Sequence, residues 1–384
     1  MRGFRKLMFV LISALLLPGL SGCWNYAEVD DMSIVAGVAI DKDGDEGKIQ
    51  LTTEMVDNKG GLDQNQAGFK MLSLSGDTMF EIVRDMISLT GKKLFWSHAK
   101  AIIFSEEIAR DGLTKVIDWY SRDTETRSDV FIFVSDEKTA REVLNLNSTT
   151  EAIMSFELAQ MMRDEQFTNK APVVEIWDFI DKLETSGNNA IAPLISLHEK
   201  NGQKNERVDG TAVFVKDKMV GKLDGEETQS MLFAKDKIRG GVLEVNNAHE
   251  VPSYSLEILE SRTKVKPKLV DGRIRLQLNI VTHTGLDEVM TSNGFSEEES
   301  IKAIEQRAGE ALEQKVLSVI HKVQEKYQAD IFGFGEAVHR SLPKTWSGIK
   351  KKWPEEFTRL EVDVHTKVII QSTAKTSRAI KLGD

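Results

Sequence analysis

Ala99 to Phe104 reads A-K-A-I-I-F, and Ser105, Glu106 and Glu107 follow at once. The six residues are a short apolar run rich in β-branched and aromatic side chains, the pattern of a buried strand. Ser105 offers an N-cap oxygen, and two glutamates stand in the first turn, where the positive end of a helix favours them. The helix so started is predicted to run to about Tyr120. The same succession repeats downstream: Val130 to Val134 (V-F-I-F-V) is a strand and Asp136 to Leu144 a helix. Strand, helix, strand, helix predicts an α/β arrangement for this part of the chain.

Upstream, Ser33 to Ile40 and Lys48 to Met55 form a hairpin around the turn residues 41–47. Asp41, Asp43 and Asp45 invite a calcium reading, but an EF-hand loop needs Gly at its sixth position and Glu at its twelfth. Glu46 and Thr52 stand there, so the turn reading is preferred. Phe69 to Leu74 is a strand and Asp77 to Leu89 a helix. Downstream, helices are predicted over 148–167 and over 173–184, the second with Pro172 in its first turn. Met154, Leu158, Met161 and Met162 make three- and four-residue steps, a core-facing stripe in preference to an adaptable binding groove. Ala190 to Leu197 is a strand, and the polar, turn-like stretch Glu199 to Glu206 is the expected domain boundary.

The second half opens with a hairpin, Thr211 to Val215 and Met219 to Leu223. Tyr254, Leu256 and Ile258 alternate along one strand, Asp271-Gly272 is a hairpin turn signal, and Ile274, Leu276, Leu278 and Ile280 alternate along the next. Ser296 with Glu299 reads as a capping box for a long helix, 296–327, striped by Ile301, Ile304, Ala308, Leu312, Val316, Val319, Val323 and Tyr327. That stripe is expected to cover the second sheet; a coiled-coil seam is the other option. Leu360, Val362, Val364, Val368 and Ile370 mark a last strand. The fold class predicted is α+β and multi-domain, with mixed or antiparallel sheets covered by helices and a C-terminal antiparallel sheet packed on one long helix. The expected domains are a leader (1–22), an N-terminal region (23–205) and a C-terminal region (206–384), with one further subdivision giving three.

The leader has a basic end (Arg2, Arg5, Lys6), an apolar run from Leu7 to Leu17, and small residues ahead of Cys23, the only cysteine in 384 residues. That is the layout of an export signal. The apolar run falls short of the about 20 residues a membrane-spanning helix needs. Leu20-Ser21-Gly22-Cys23 resembles the bacterial lipobox, which implies cleavage after Gly22 and a diacylglyceryl, N-acylated Cys23. A free or buried cysteine is the alternative. With Cys23 used as an anchor no thiol remains for a disulfide, a zinc site or a nucleophile. The formal charge is −10, and loss of residues 1–22 with their three basic side chains takes it to −13. An acidic chain is a poor nucleic-acid binder, and by net charge it is repelled by anionic lipid.

No chemistry is evident. The seven histidines (98, 198, 249, 283, 321, 339, 365) form no HExxH pattern, and no G-x-S-x-G elbow or P-loop is present; Gly333 and Gly335 lack the following lysine. Arg122, Asp123, Glu125 and Arg127 read as a salt-bridged surface loop rather than a ligand site. No catalytic residue, cofactor or metal is predicted.

Four stretches resemble a known family. They are Gly22-Cys23-Trp24 with Asp31 to Asp41; Ser97 to Phe104 continuing to Arg122–Arg127; Gly210 to Gly241 (G-T-A-V-F-V-K-D-K-M-V-G…R-G-G); and Phe332 to Trp346 (F-G-F-G-E-A-V-H-R…P-K-T-W), with Trp353 beyond. In order and spacing they resemble the Ger(x)C spore germination lipoproteins, the C subunits of nutrient germinant receptors. Lys222 and Phe233 depart from the tryptophans that many members carry. The resemblance implies a non-catalytic, lipid-anchored protein on the outer face of the inner spore membrane, working beside integral-membrane A and B subunits. A solute-binding lipoprotein that captures the nutrient itself, and a tethered cell-wall hydrolase, are the other readings weighed.

Overall fold

The computed structural model describes residues 2–6, 8, 28, 32–44, 47–57, 68–146, 151–200, 202–247, 250–289 and 297–372. β1 (Met32–Asp43), β2 (Lys48–Asp57) and β3 (Gly68–Gly76) form an antiparallel meander. β4 (Lys93–Phe95) and β5 (Ala101–Ser105) both run parallel to β1, and β6 (Phe131–Ser135) runs parallel to β5. β7 (Ile191–Lys200), β8 (Gln203–Val215) and β9 (Lys218–Leu223) complete one mixed sheet in the order β3-β2-β1-β5-β6-β7-β8-β9, with β4 off the path. The parallel strands are joined by helices: α1 (Met79–Thr90), α2 (Glu106–Asp111), α3 (Thr114–Arg122), α4 (Arg141–Leu144), α5 (Met154–Asp164) and α6 (Ile176–Glu184). A parallel neighbour needs such a crossover, as the α/β reading requires.

Several helices are shorter than their patterns predict, each for a local reason. Ser105 does cap α2, accepting from Ile108 N at 3.4 Å. The helix stops at Gly112, which adopts φ 126°, and Leu113 N turns to donate to Asp217 O at 2.9 Å before α3 begins. Of 136–144 only α4 is helical; the Asp41 carboxylate accepts from Ala140 N (2.6 Å) and Arg141 N (3.1 Å) and fixes its start. Asp41 is thus a long-range cap, and Asp45 and Glu46 of the turn lie outside the described residues. Of 148–167, α5 and a 3₁₀ turn (Glu165–Phe167) are helical; Glu54 accepts from Met154 N and Ser155 N, both at 2.9 Å, and sets the first turn. Gly37 lies under it, where a Cβ would stand 2.0 Å from Ser155 Oγ. Pro172 does not open α6: Ile132 N donates to Val174 O and Glu175 bridges to Phe131, so that segment is extended against β6. Met154, Leu158 and Met162 are buried in the core beneath β1, β5 and β6, as the stripe predicts. Most of 199–206 is strand and not a loop: β7 and β8 pair as far as Lys200↔Gln203.

Glu206 of β8 faces Glu157 of α5, and burial followed by that neighbour pushes its carboxyl up to about 7. Both side chains are buried. An acid with a raised folded pKa loses stability as pH rises from its unfolded pKa (4.5) to its folded one. Glu206→Gln is therefore expected to raise the melting temperature at pH 8 by several degrees, for at most about 3 kcal/mol, and to change it little at pH 5. Equal shifts at both pH values in a thermal-melt series would refute the coupling.

The second sheet has the order β10-β11-β12-β13, from β10 (Val242–Asn247), β11 (Glu250–Val270), β12 (Arg273–Val289) and β13 (Glu361–Ser372). Asp271 and Gly272, at φ 50° and 76°, make the tight turn between β11 and β12. β10, β11 and β12 are antiparallel as predicted, but β13 is parallel to β12. The reason is the helical crossover between them, which returns the chain in its original direction. α7 (Gly225–Ala234) starts at a capping box of Asp224 and Glu227. The long helix is α8 (Glu297–Lys322), continued by a π turn (Val323–Tyr327); Ser296 lies outside the described residues. Ile304, Ala308, Leu312, Val316, Val319 and Val323 are buried, with Ile301 and Tyr327 half-buried at the two ends, so the stripe covers the sheet within one chain. α9 (Phe334–Ser341), α10 (Pro343–Ile349) and α11 (Trp353–Thr358) close the end of the molecule. One apolar core runs from Val35 to Val368 through both sheets.

Candidate functional site

The segment from Ala329 to Gly335 (A-D-I-F-G-F-G) joins the two sheet regions. Its centre is Asp330, 2% exposed. One carboxylate oxygen accepts from Phe332 N (3.1 Å), Gly333 N (2.9 Å) and Phe334 N (3.1 Å); the other accepts from Gly335 N (2.7 Å) and Trp353 Nε1 (3.0 Å). Burial pushes this carboxyl up, while these donors and the nearby Lys235 pull it down. All five partners are donors, which suits the ionised form. Gly333 holds φ 79°, so the loop can turn its amides onto one carboxylate.

The same segment grips residues 182–189 of the first region. Asn189 N donates to Asp330 O at 2.7 Å. Glu336 Oε1 accepts from Lys182 Nζ and Asn188 Nδ2, both at 2.9 Å. Lys235 Nζ donates to Ile331 O. Burial pushes the Lys235 ammonium down to about 8, against the pull of Asp330 and Glu336. Gly187 and Gly335 meet backbone to backbone: a Cβ on Gly335 would lie 2.6 Å from Gly187 Cα, and one on Gly187 would lie 2.6 Å from Trp346 Cη2. Phe332 and Phe334 stack at 5.0 Å, and Trp346 meets Trp353 edge-on at 5.3 Å. F-G-F-G and its following tryptophans thus form a clasp, and the glycines are there to let two backbones touch.

Beside the clasp opens a cleft of about 890 Å³, reached by Asn169, Asp178 and Lys182 from one region and by Lys235, Lys237 and Arg340 from the other. Its lining mixes both charge signs and includes no histidine, cysteine, serine or tyrosine. Three of the four carboxylates there are engaged, Glu165 with Lys170 N and Ala171 N, Asp236 with Thr263 N and Glu336 in the clasp, and Asp178 is the fourth. Among the described residues no three His, Cys, Asp or Glu side chains are placed to hold a metal ion. The arrangement is built for holding and for binding by charge and shape.

The residues predicted as a site, Leu20, Ser21, Gly22 and Cys23, lie outside the described residues. The loop of Arg122, Asp123, Glu125 and Arg127 is salt-bridged as predicted: Arg122 to Asp118 and Arg127 to Asp129, with Glu125 taking Lys93. Lys222, at one point of departure from the family pattern, bridges Glu106 and Asp136; Phe233, at the other, is buried in the core.

Residues 25–197 match the family model described as the spore germination protein N-terminal domain, and residues 209–374 match the one described as spore germination B3/GerAC like, C-terminal. The chain belongs to this family. It is 25% identical to spore germination protein KC of Bacillus subtilis (strain 168) over 97% of each chain. Spore germination protein A3 of the same organism is 26% identical over 95% of this chain and 97% of its own. The crystal structure of the GerBC protein covers 87% of this chain and 97% of its own, with a TM-score of 0.56 at 19% identity, a likeness of fold. The expected Ger(x)C family and α+β class both hold. Clasp and cleft take residues from both matched ranges, so the site belongs to the combination of the two regions.

Proposed function

We propose that this protein is the non-catalytic C subunit of a nutrient germinant receptor. In this reading a diacylglyceryl and N-acyl Cys23 anchors it on the outer face of the inner spore membrane, and it acts through contacts with integral-membrane A and B subunits. The observation that carries the proposal is the near end-to-end match to spore germination proteins, with both family regions present in order. Among the described residues no helix is long and apolar enough to cross a membrane. The matched ranges end at 197 and resume at 209, which favours a division near 205 although one sheet runs through it. The clasp supports a transmitting role: two regions held by one buried carboxylate can pass a shift at either surface to the other. Any such shift requires a partner with different affinity for two states.

The test is a pull-down from detergent-solubilised membranes with a tag after Asp384 and identification by mass. Co-purification of an integral-membrane receptor subunit is expected; a protein recovered without a partner would overturn the proposal. The mixed-charge cleft favours capture of a small polar nutrient as a second reading. A rise in melting temperature of the purified chain with one nutrient would select it.

A further inference from the structure

We propose that the outer face of the β11–β12 hairpin docks on anionic lipid head groups. The net charge of −10 predicts repulsion from such a surface, but the charge is not evenly spread. Residues 262–275 hold six basic side chains (Arg262, Lys264, Lys266, Lys268, Arg273, Arg275) and one acidic, Asp271. Register places them together. On β11 the residues 262, 264, 266 and 268 are exposed, while Thr263 between them and Ser261 before them are buried inward. Lys264, Lys266 and Lys268 stand opposite Asn279, Gln277 and Arg275 of β12, which stand opposite His365, Asp363 and Glu361 of β13. Arg262 faces Val281, which faces Lys367. The helices pack on the other face, around Leu276, Leu278, Ile280 and Val364.

Local acids consume part of this charge. Arg262 pairs with Glu260 (3.0 Å) and Arg275 with Glu361 (2.8 Å), and Lys268 donates to Gln277 (3.2 Å). Lys264, Lys266, Arg273 and Lys367 carry no ion pair among the described residues. The far end of the same face is acidic: Glu244, Glu257 and Glu288 sit where β10 pairs with β11 and β11 with β12. The sheet is thus polar lengthwise, with its basic end at the hairpin tip, and an anionic surface would orient it tip-first.

The form of the cationic end matches a fluid surface better than a fixed partner. Alternate residues of a strand project about 7 Å apart, so the lysines make an open row in which, among the described residues, Lys268 alone has a side-chain acceptor, Gln277 Oε1. Lysine is a flexible point charge, and such side chains near an anionic bilayer each contribute about a fivefold gain in partitioning. Lysines also blunt exposed strand edges, and β11 loses β10 as a partner beyond Glu257. Glutamate would blunt that edge equally well, so charge reversal separates the two roles.

The proposal rests on the membrane location proposed above, and the test keeps them apart. Full-length wild type and the variant Lys264→Glu/Lys266→Glu/Arg273→Glu are partitioned onto phosphatidylcholine vesicles with and without phosphatidylglycerol, at low and high salt. Neutral vesicles report the anchor alone. Wild type is expected to bind anionic vesicles more tightly than neutral ones, with the increment lost at high salt and lowered by well over about 100-fold in the charge-reversed variant, whose melting temperature stays near wild type. A glutamine version of the same triple variant should fall between. Equal binding of wild type to both vesicle types, or an increment that survives charge reversal, overturns the proposal. So does a variant that keeps the increment but no longer captures an integral-membrane subunit, which would assign the face to an acidic protein. Loss of neutral-vesicle binding with the increment intact removes the anchor instead.

Discussion

Replacing Asp330 by alanine is expected to cost on the order of 4 kcal/mol and to loosen the two regions from one another. The carboxylate accepts from four backbone amides and one indole N–H in a buried site. Removing it strands those donors, and each buried unpaired donor costs about 1–3 kcal/mol before relaxation. Asp330→Asn is the sharper test, because it keeps the shape. An amide has one acceptor oxygen and one donor NH₂. Either orientation aims that NH₂ at donors: at Gly335 N and Trp353 Nε1 in one, at Phe332 N, Gly333 N and Phe334 N in the other. Both variants should melt well below wild type, and the alanine variant should shift the tryptophan emission to the red, since Trp353 loses its partner and Trp346 packs against it. Melting of both within about 1 °C of wild type, a difference of only a fraction of a kcal/mol, would show that Asp330 does not pin the junction.

Asp330 also marks the limit of what could be read from the chain. Strand existence was legible almost throughout, because a strand with one buried face alternates and one with two buried faces is a short apolar run. The long helix was legible because its stripe, Ile304 to Val323, is unbroken. What failed was helix extent. α4 and α5 start where Asp41 and Glu54, about 100 residues upstream in sequence, offer their carboxylates to amides. Helix α2 ends where Leu113 meets Asp217. Such partners come from tertiary structure, and no local pattern reports them. Parallel pairing of β13 was likewise invisible, because alternation gives a strand's faces and says nothing of its neighbour's direction. F-G-F-G carries the family resemblance, which by itself gives it no role. The signal for one was present in Asp330 followed by two alternate glycines, an acceptor ahead of a loop able to turn its amides inward, but a lone aspartate in a polar stretch has many readings.

Cys23→Ala is expected to move the protein almost wholly from the membrane fraction to the soluble fraction without changing its fold. Each buried methylene contributes about 0.8 kcal/mol to anchoring, and two chains hold stably where one holds marginally. Removing the thiol removes the acceptor for both glyceryl-linked chains, so the expected change is in kind, from retained to released. The fold should be indifferent, because the first buried core residue among the described residues, Val35 on β1, lies twelve residues beyond Cys23. A soluble variant with wild-type melting and circular dichroism would join the anchor to the leader alone. Two controls make the result decisive. A high-salt wash strips any attachment made by the cationic face of the β11–β12 hairpin, which salt screens, and leaves a lipid anchor in place. Intact-mass analysis of wild type reports whether the mature chain starts at Cys23 with added acyl mass or still carries Met1. Recovery of Cys23→Ala in the membrane at wild-type levels after that wash, with its leader cleaved, would reject the lipobox reading and place the attachment on a protein partner.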